Sequence, residues 1–173
     1  MPSSVIRGTA AVVGAFVSAD VVLPARHSFL TPEDMARHVL AELEPAANER
    51  VRSHSILVAG EAFGYGTGRE SPARALRAAG IRAVVGGPFA RMFFRNAINN
   101  GVLVIDCEPL ARAGVEQGTE IEIDLDHGTI RCSGATYSVP PVPRIVREII
   151  EAGSLIDYGR AVVAARQERH GRG

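Results

Sequence analysis

One stretch of the chain departs from what folding alone asks for: Gly60-Glu61-Ala62-Phe63-Gly64-Tyr65-Gly66-Thr67-Gly68-Arg69-Glu70. Four glycines fall within nine residues, between the apolar run Ile56-Leu57-Val58-Ala59 and a segment of helical character. Glycine lets the backbone approach a ligand closely and adopt positive φ, and the new helix offers free N–H groups at the positive end of its dipole. The combination is an anion site. Arg69 at its mouth adds a planar two-pronged donor that suits a carboxylate or phosphate, and Thr67 adds a hydroxyl. A merely tight strand-to-helix turn needs one or two glycines, not four. Two nucleotide motifs fail in detail. A P-loop needs Gly-Lys-Ser/Thr, and the chain has no lysine. The dinucleotide fingerprint laid on Gly64–Arg69 finds arginine where its third glycine belongs, and the strand at 81–85 ends in Gly86-Gly87 with no acid for a ribose.

The elements around this mouth follow from pattern. Residues 55–106 read strand, helix, strand, helix, strand, which requires right-handed crossovers and a parallel sheet. The helices cover 70–79, closed by Gly80, and 89–99, closed near Gly101. Upstream, residues 5–17 read as a strand or two, and Val21-Val22-Leu23-Pro24 as a short extended run stopped by its proline. Thr31-Pro32-Glu33-Asp34 starts a helix with apolar residues at Met35, Val39, Leu40 and Leu43, ending near Pro45; a polar stretch runs from Asn48 to His54. Downstream, Glu120–Leu125 alternates strictly, turns at 126–129 and returns over 130–132, with another strand candidate at 136–139. Helices at 145–153 and 155–165 follow, then an Arg-rich tail from Arg166 to Gly173 that reads as frayed. The expectation is one α/β domain, residues 1–165, with three layers: a central parallel sheet and peripheral antiparallel strands.

The chain has 173 residues, 46% of them hydrophobic, and nineteen basic side chains balance nineteen acidic ones. With no basic field, neither nucleic acid nor a membrane surface is an expected partner. Met1-Pro2-Ser3-Ser4 lacks a signal-peptide core and no run has the length of a membrane span, so the expected location is cytoplasmic. Cys107 and Cys132 are far apart in apolar surroundings and read as reduced thiols rather than metal ligands. His38, His54 and His127 form no cluster, and Phe89, Phe93 and Phe94 at helical spacing read as core. Arg91 and Arg95, four apart, face solvent, the ligand mouth or a partner.

The order of motifs resembles the swivel domain of the aconitase superfamily, in which a strand leads to Phe or Tyr and then Gly-x-Gly-Ser-Ser-Arg-Glu. Besides 56–70, the matching text includes Gly80-Ile81-Arg82-Ala83-Val84-Val85, Pro88-Phe89-Ala90-Arg91-Met92-Phe93-Phe94-Arg95-Asn96-Ala97-Ile98-Asn99-Asn100-Gly101 and 143–155. The resemblance spans about residues 8–160, and by length and ending is strongest to the separate small subunits of isopropylmalate dehydratase and homoaconitase-like enzymes. It implies a swivelling β/β/α domain of a hydro-lyase that acts on a hydroxy di- or tricarboxylic acid, with a [4Fe–4S] cluster on a large partner subunit and none on this chain. It also implies roles. The motif's first serine, the base, falls on Thr67; its arginine, the carboxylate clamp, on Arg69; its second serine on Gly68. Near the N-terminus the family's Asp-Thr-Asp becomes Ser18-Ala19-Asp20, so only Asp20 survives. Backbone N–H groups around Gly66 and Gly68 join the substrate site and Tyr65 narrows the pocket; the loop Pro24–Thr31 is either an ordinary polar connection before a helix or the place where Arg26 or His27 reaches a second carboxylate, with Phe29 beside an alkyl group. The departures at Gly68 and Tyr65 leave two alternatives open: a relative acting on a different hydroxy acid, or a catalytically silent anion-binding or scaffolding subunit.

Overall fold

The computed structural model describes residues 5–170. Its elements in chain order are β1 (Val5–Val13), α1 (Ala19–Val22), a 3-10 turn (Ala25–His27), α2 (Pro32–Ala36), α3 (Ala47–Ser53), β2 (Ile56–Ala59), α4 (Ser71–Ala78), β3 (Ala83–Gly86), α5 (Arg91–Asn99), β4 (Leu103–Asp106), α6 (Glu108–Ala111), β5 (Glu120–Asp124), β6 (Thr129–Cys132), β7 (Ala135–Ser138), α7 (Arg144–Ala152) and α8 (Leu155–His170). The strands form one sheet in the order β4-β3-β2-β1-β5-β6-β7. β1 to β4 run parallel, β5 pairs antiparallel with β1, and β6 and β7 follow, each antiparallel to its neighbour.

Side-chain alternation turns this sheet into three layers. Leu57, Ala59, Val84 and Val104 face one way, into a core shared with Val22, Met35, Val51, Leu76 and Phe93 of the helices. Their neighbours Ile56, Val58, Ala83, Val85, Leu103 and Ile105 face the other way, against Ile121, Ile123 and Ile130 of the antiparallel strands. A strand covered on both faces must be apolar at successive positions, which is why β2 and β3 read as unbroken hydrophobic runs, whereas β5 alternates.

Several local expectations are corrected. Val21-Val22 is not extended: Ser18 caps a helical turn, its Oγ accepting from Val21 N at 3.2 Å, and Val22 and Leu23 are buried. The helix begun by Thr31 stops at Ala36 rather than near Pro45. Leu40 has φ +55, and Asn48 Nδ2 donates to Ala36 O (3.0 Å) and Val39 O (2.7 Å), so a side chain satisfies the carbonyls that a longer helix would have used. The polar stretch 48–54 is largely helix α3, held by buried Ala47 and Val51. The last helix continues through Arg166 to His170; Gly171–Gly173 and Met1–Ser4 lie outside the described residues.

Candidate functional site

The glycine-rich turn is fixed at both flanks before it reaches α4. Phe16 N donates to Glu61 O (2.8 Å), Gly64 N to Val17 O (2.7 Å) and Ala19 N to Tyr65 O (2.7 Å), so the start of α1 is docked on the turn. On the other side Ala62 N donates to Pro88 O (3.0 Å) and Ala90 N to Phe63 O (3.1 Å). Phe63 is fully buried, its ring edge-on to Phe93 at 5.0 Å and Phe89 at 6.3 Å. It is the apolar anchor of an otherwise polar turn. Phe63→Ala is expected to cost about 3–5 kcal/mol of stability, measured by urea unfolding with an unchanged slope. Gly64 requires glycine: its φ is +81, and a Cβ there would lie 2.4 Å from the Phe93 ring.

Around the residues beyond Gly66 the fold brings together the side chains of Thr67, Arg69, Ser28 and Asp20. Thr67 is half-buried, and its Oγ1 accepts from Arg69 N at 3.3 Å and Arg69 Nε at 3.4 Å. Both bonds are long for N–H donors to a hydroxyl oxygen. Arg69 spreads its remaining donors: Nη1 to Ser28 Oγ at 2.7 Å, Nη2 to Asp20. Ser28 is held in turn by the hydroxyl of buried Ser71, the first residue of α4, at 2.9 Å. From α5, Asn96 Nδ2 donates to Gly68 O (3.0 Å) and Arg69 O (3.1 Å), fixing the backbone on either side of the guanidinium. The resulting device is a hydroxyl oxygen with two donors trained on it, beside a two-pronged cation whose only carboxylate partner among the described residues, Asp20, is more than half exposed. Exposed ion pairs are worth about 0–1 kcal/mol, so an incoming carboxylate can compete with Asp20 for the fork.

The expected site residues divide. Thr67, Arg69 and Asp20 meet, with Tyr65, Gly66 and Gly68 exposed around them. Arg26 and His27 turn elsewhere: Arg26 pairs with Glu42, and the His27 ring stacks on His38 at 3.8 Å. Partial burial, His38 and the Arg26 guanidinium hold His27 below the usual imidazole range. The member of that loop at the mouth is Ser28, which the sequence did not single out, nor Ser71 or Asn96. Their signal was weak, since hydroxyls and amides in loops usually face water. Gly68 has an ordinary φ, and a Cβ there would meet only Met92 Cε at 3.4 Å. Gly68→Ser is therefore expected to fold with a stability change within about 1 kcal/mol, read by thermal unfolding, while restoring a second hydroxyl beside Thr67.

The two cysteines are buried and unlinked, and burial pushes the Cys107 thiol up. Among the described residues no group of three or more His, Cys, Asp or Glu could hold a metal ion, and no helix is long and apolar enough to cross a membrane. Cavities of 660 and 860 Å³ are lined by other residues; Thr67 and Arg69 are half-buried, and Asp20 beside them is exposed.

The family model described as "Aconitase C-terminal domain" matches residues 37–110, which include the glycine turn with Thr67 and Arg69. Over 164 residues the chain is 38% identical to the 3-isopropylmalate dehydratase small subunit of Methanosarcina mazei, covering 93% of this chain and 100% of that one. It is 40% identical over 157 residues to the corresponding subunit of Moorella thermoacetica, covering 89% and 94%. A solved 3-isopropylmalate dehydratase structure from Methanocaldococcus jannaschii superposes with TM-score 0.83 at 31% identity, covering 95% of this chain and 99% of that one. Aconitase X of Thermococcus kodakaraensis shares the fold at TM-score 0.52 and 17% identity, over 74% of this chain and 89% of that one. The chain belongs to the 3-isopropylmalate dehydratase small-subunit family.

Proposed function

We propose that this chain is the small subunit of a 3-isopropylmalate dehydratase, a hydro-lyase working in the cytoplasm with an iron–sulfur large subunit. The observation that carries this reading is the Thr67–Arg69 pair beside exposed Asp20. A hydroxyl is a poor base unless its oxyanion is stabilised, and here the Arg69 guanidinium and backbone N–H both point at Thr67 Oγ1. One substrate carboxylate takes the Arg69 fork in place of Asp20, with Ser28 holding the other side of the guanidinium. Thr67 Oγ, its own proton already released to solvent, removes the proton from the carbon next to the hydroxyl-bearing one as the C–O bond breaks and a C=C bond forms, and the resulting hydroxyl returns that proton when water adds back. Asp20 keeps the fork oriented between turnovers. Lewis-acid chemistry at the departing hydroxyl is what a [4Fe–4S] cluster on the partner supplies; the buried thiols of this chain do not suit that role.

The surroundings support a partner that closes the site. Phe29 is 98% exposed next to Ser28, Phe16 is 64% exposed, and Tyr65 and Met92 add further apolar surface around a polar centre. Large apolar side chains clustered in water mark a surface that is covered in use. The same Phe29, next in sequence to Ser28, would meet the substrate's alkyl group. Departures at Tyr65 and Gly68 favour, as a second reading, the same chemistry on a different hydroxy acid, which assays of malate derivatives beside 3-isopropylmalate would separate. The reading is tested by reconstitution. The isolated chain is expected to be colourless and inactive, with turnover appearing on addition of the cluster-loaded large subunit. Dehydration by the isolated chain would defeat it.

A further inference from the structure

A second surface lies on the opposite flank of α5 from the mouth. β4 is an edge strand of the sheet. Leu103 N and Cys107 N donate to Arg82 O (3.0 Å) and Gly86 O (2.7 Å), so the backbone of 103, 105 and 107 faces β3. By the alternation of a parallel ladder, the N–H and C=O groups of Val104 and Asp106 face outward. Among the described residues they have no backbone partner there. The segment that runs beside them is Pro140-Pro141-Val142-Pro143, in which three of four residues lack an N–H, so it cannot complete the ladder. Val142 O is already taken by Arg147 Nε at 3.0 Å. The gap that remains is a groove of 310 Å³ floored by β4 and walled by Phe94, Ile98, Val142 and Val146.

The groove has a charged end. It continues past Phe94 and Asp106 into a 240 Å³ recess lined by Arg91 and Arg95. Both arginines are exposed, and neither makes an ion pair or hydrogen bond among the described residues, while most other arginines of the chain are paired. Asp106, the one carboxylate lining the recess, has Oδ1 turned to Phe89 N at 3.4 Å. Open strand edges with apolar walls accept an added strand: the backbone supplies hydrogen bonds and the pockets select side chains. Here two unpaired guanidinium groups select for acid at one end.

We infer that the β4 edge is a strand-acceptor site for the large subunit, taking an extended segment with aliphatic residues over Phe94, Ile98 and Val146 and a carboxylate between Arg91 and Arg95. The inference rests on the reading that such a subunit caps the mouth. One flank of α5 touches the mouth through Met92 and Asn96 and the other walls the groove, so a single partner can span both.

The test is amide hydrogen exchange on the chain alone and in complex with its purified, cluster-loaded large subunit, paired with an affinity measurement on Arg91→Glu/Arg95→Glu. The amides of Val104 and Asp106 should exchange fast in the free chain and at least about tenfold more slowly in the complex. The double variant should weaken association about tenfold at low ionic strength, with the loss shrinking as salt is added. Thr67→Ala should bind like the parent chain. An active complex in which both amides stay fast, or a double variant whose affinity is within twofold of the parent at low salt, overturns the inference and leaves the proposed function standing. Absence of any complex overturns both.

Discussion

Thr67→Ala in the reconstituted enzyme is expected to lower kcat by about two orders of magnitude or more, the usual contribution of a positioned general base, while KM changes less than tenfold. The side chain is half-buried and its oxygen is engaged by Arg69, so in the proposed mechanism its truncation deletes proton transfer and leaves the carboxylate clamp in place. Steady-state turnover of 3-isopropylmalate with saturating large subunit measures it. Unchanged kcat would make the chain a scaffold with an anion site and move the base elsewhere. The fold should not suffer, because Phe63 and the flanking backbone bonds, not Thr67, anchor the turn.

Arg69→Lys is expected to reduce kcat/KM by about 100-fold despite conserving charge. The guanidinium makes separate directed contacts with Thr67, Ser28 and Asp20, and no ammonium can serve three directions with planar geometry. Hydrogen bonds to charged groups are worth about 1.5–3 kcal/mol each, and each 1.4 kcal/mol is tenfold, so loss of one or two accounts for the effect. The change should divide between KM, through the substrate carboxylate, and kcat, through Thr67. A loss confined to KM would show that Arg69 binds substrate without activating the hydroxyl.

How far this architecture could be read from sequence depended on whether neighbours or distant contacts decide a segment. The parallel centre was legible because β2, β3 and β4 are each covered on both faces and carry that fact in their own residues. The glycine-rich turn was legible as a strand-to-helix connection, but two of its four glycines answer packing rather than a ligand: a Cβ at Gly60 would lie 2.7 Å from the Ala15 backbone, and one at Gly64 2.4 Å from the Phe93 ring. Residues 31–54 were not. The periodicity of Met35, Val39, Leu40 and Leu43 is real, since the first three are fully buried, yet the helix stops because Asn48 captures its carbonyls. Nothing local to Ala36 announces that. Ser28 was likewise hidden: its role is set by Ser71 and Arg69, both more than forty residues away. Arg26 and His27 looked better suited to a carboxylate, but Glu42 and His38 hold them first.

The most direct test of the central claim compares Thr67→Val with Thr67→Ser in complexes matched for occupancy by the large subunit. Valine keeps the branched shape and deletes the oxygen; serine keeps the oxygen and deletes the methyl group. Turnover of 3-isopropylmalate should fall at least about 100-fold for Val and stay within tenfold of the parent for Ser. Equal turnover by the Val variant and the parent chain would contradict the assignment of proton transfer to this oxygen.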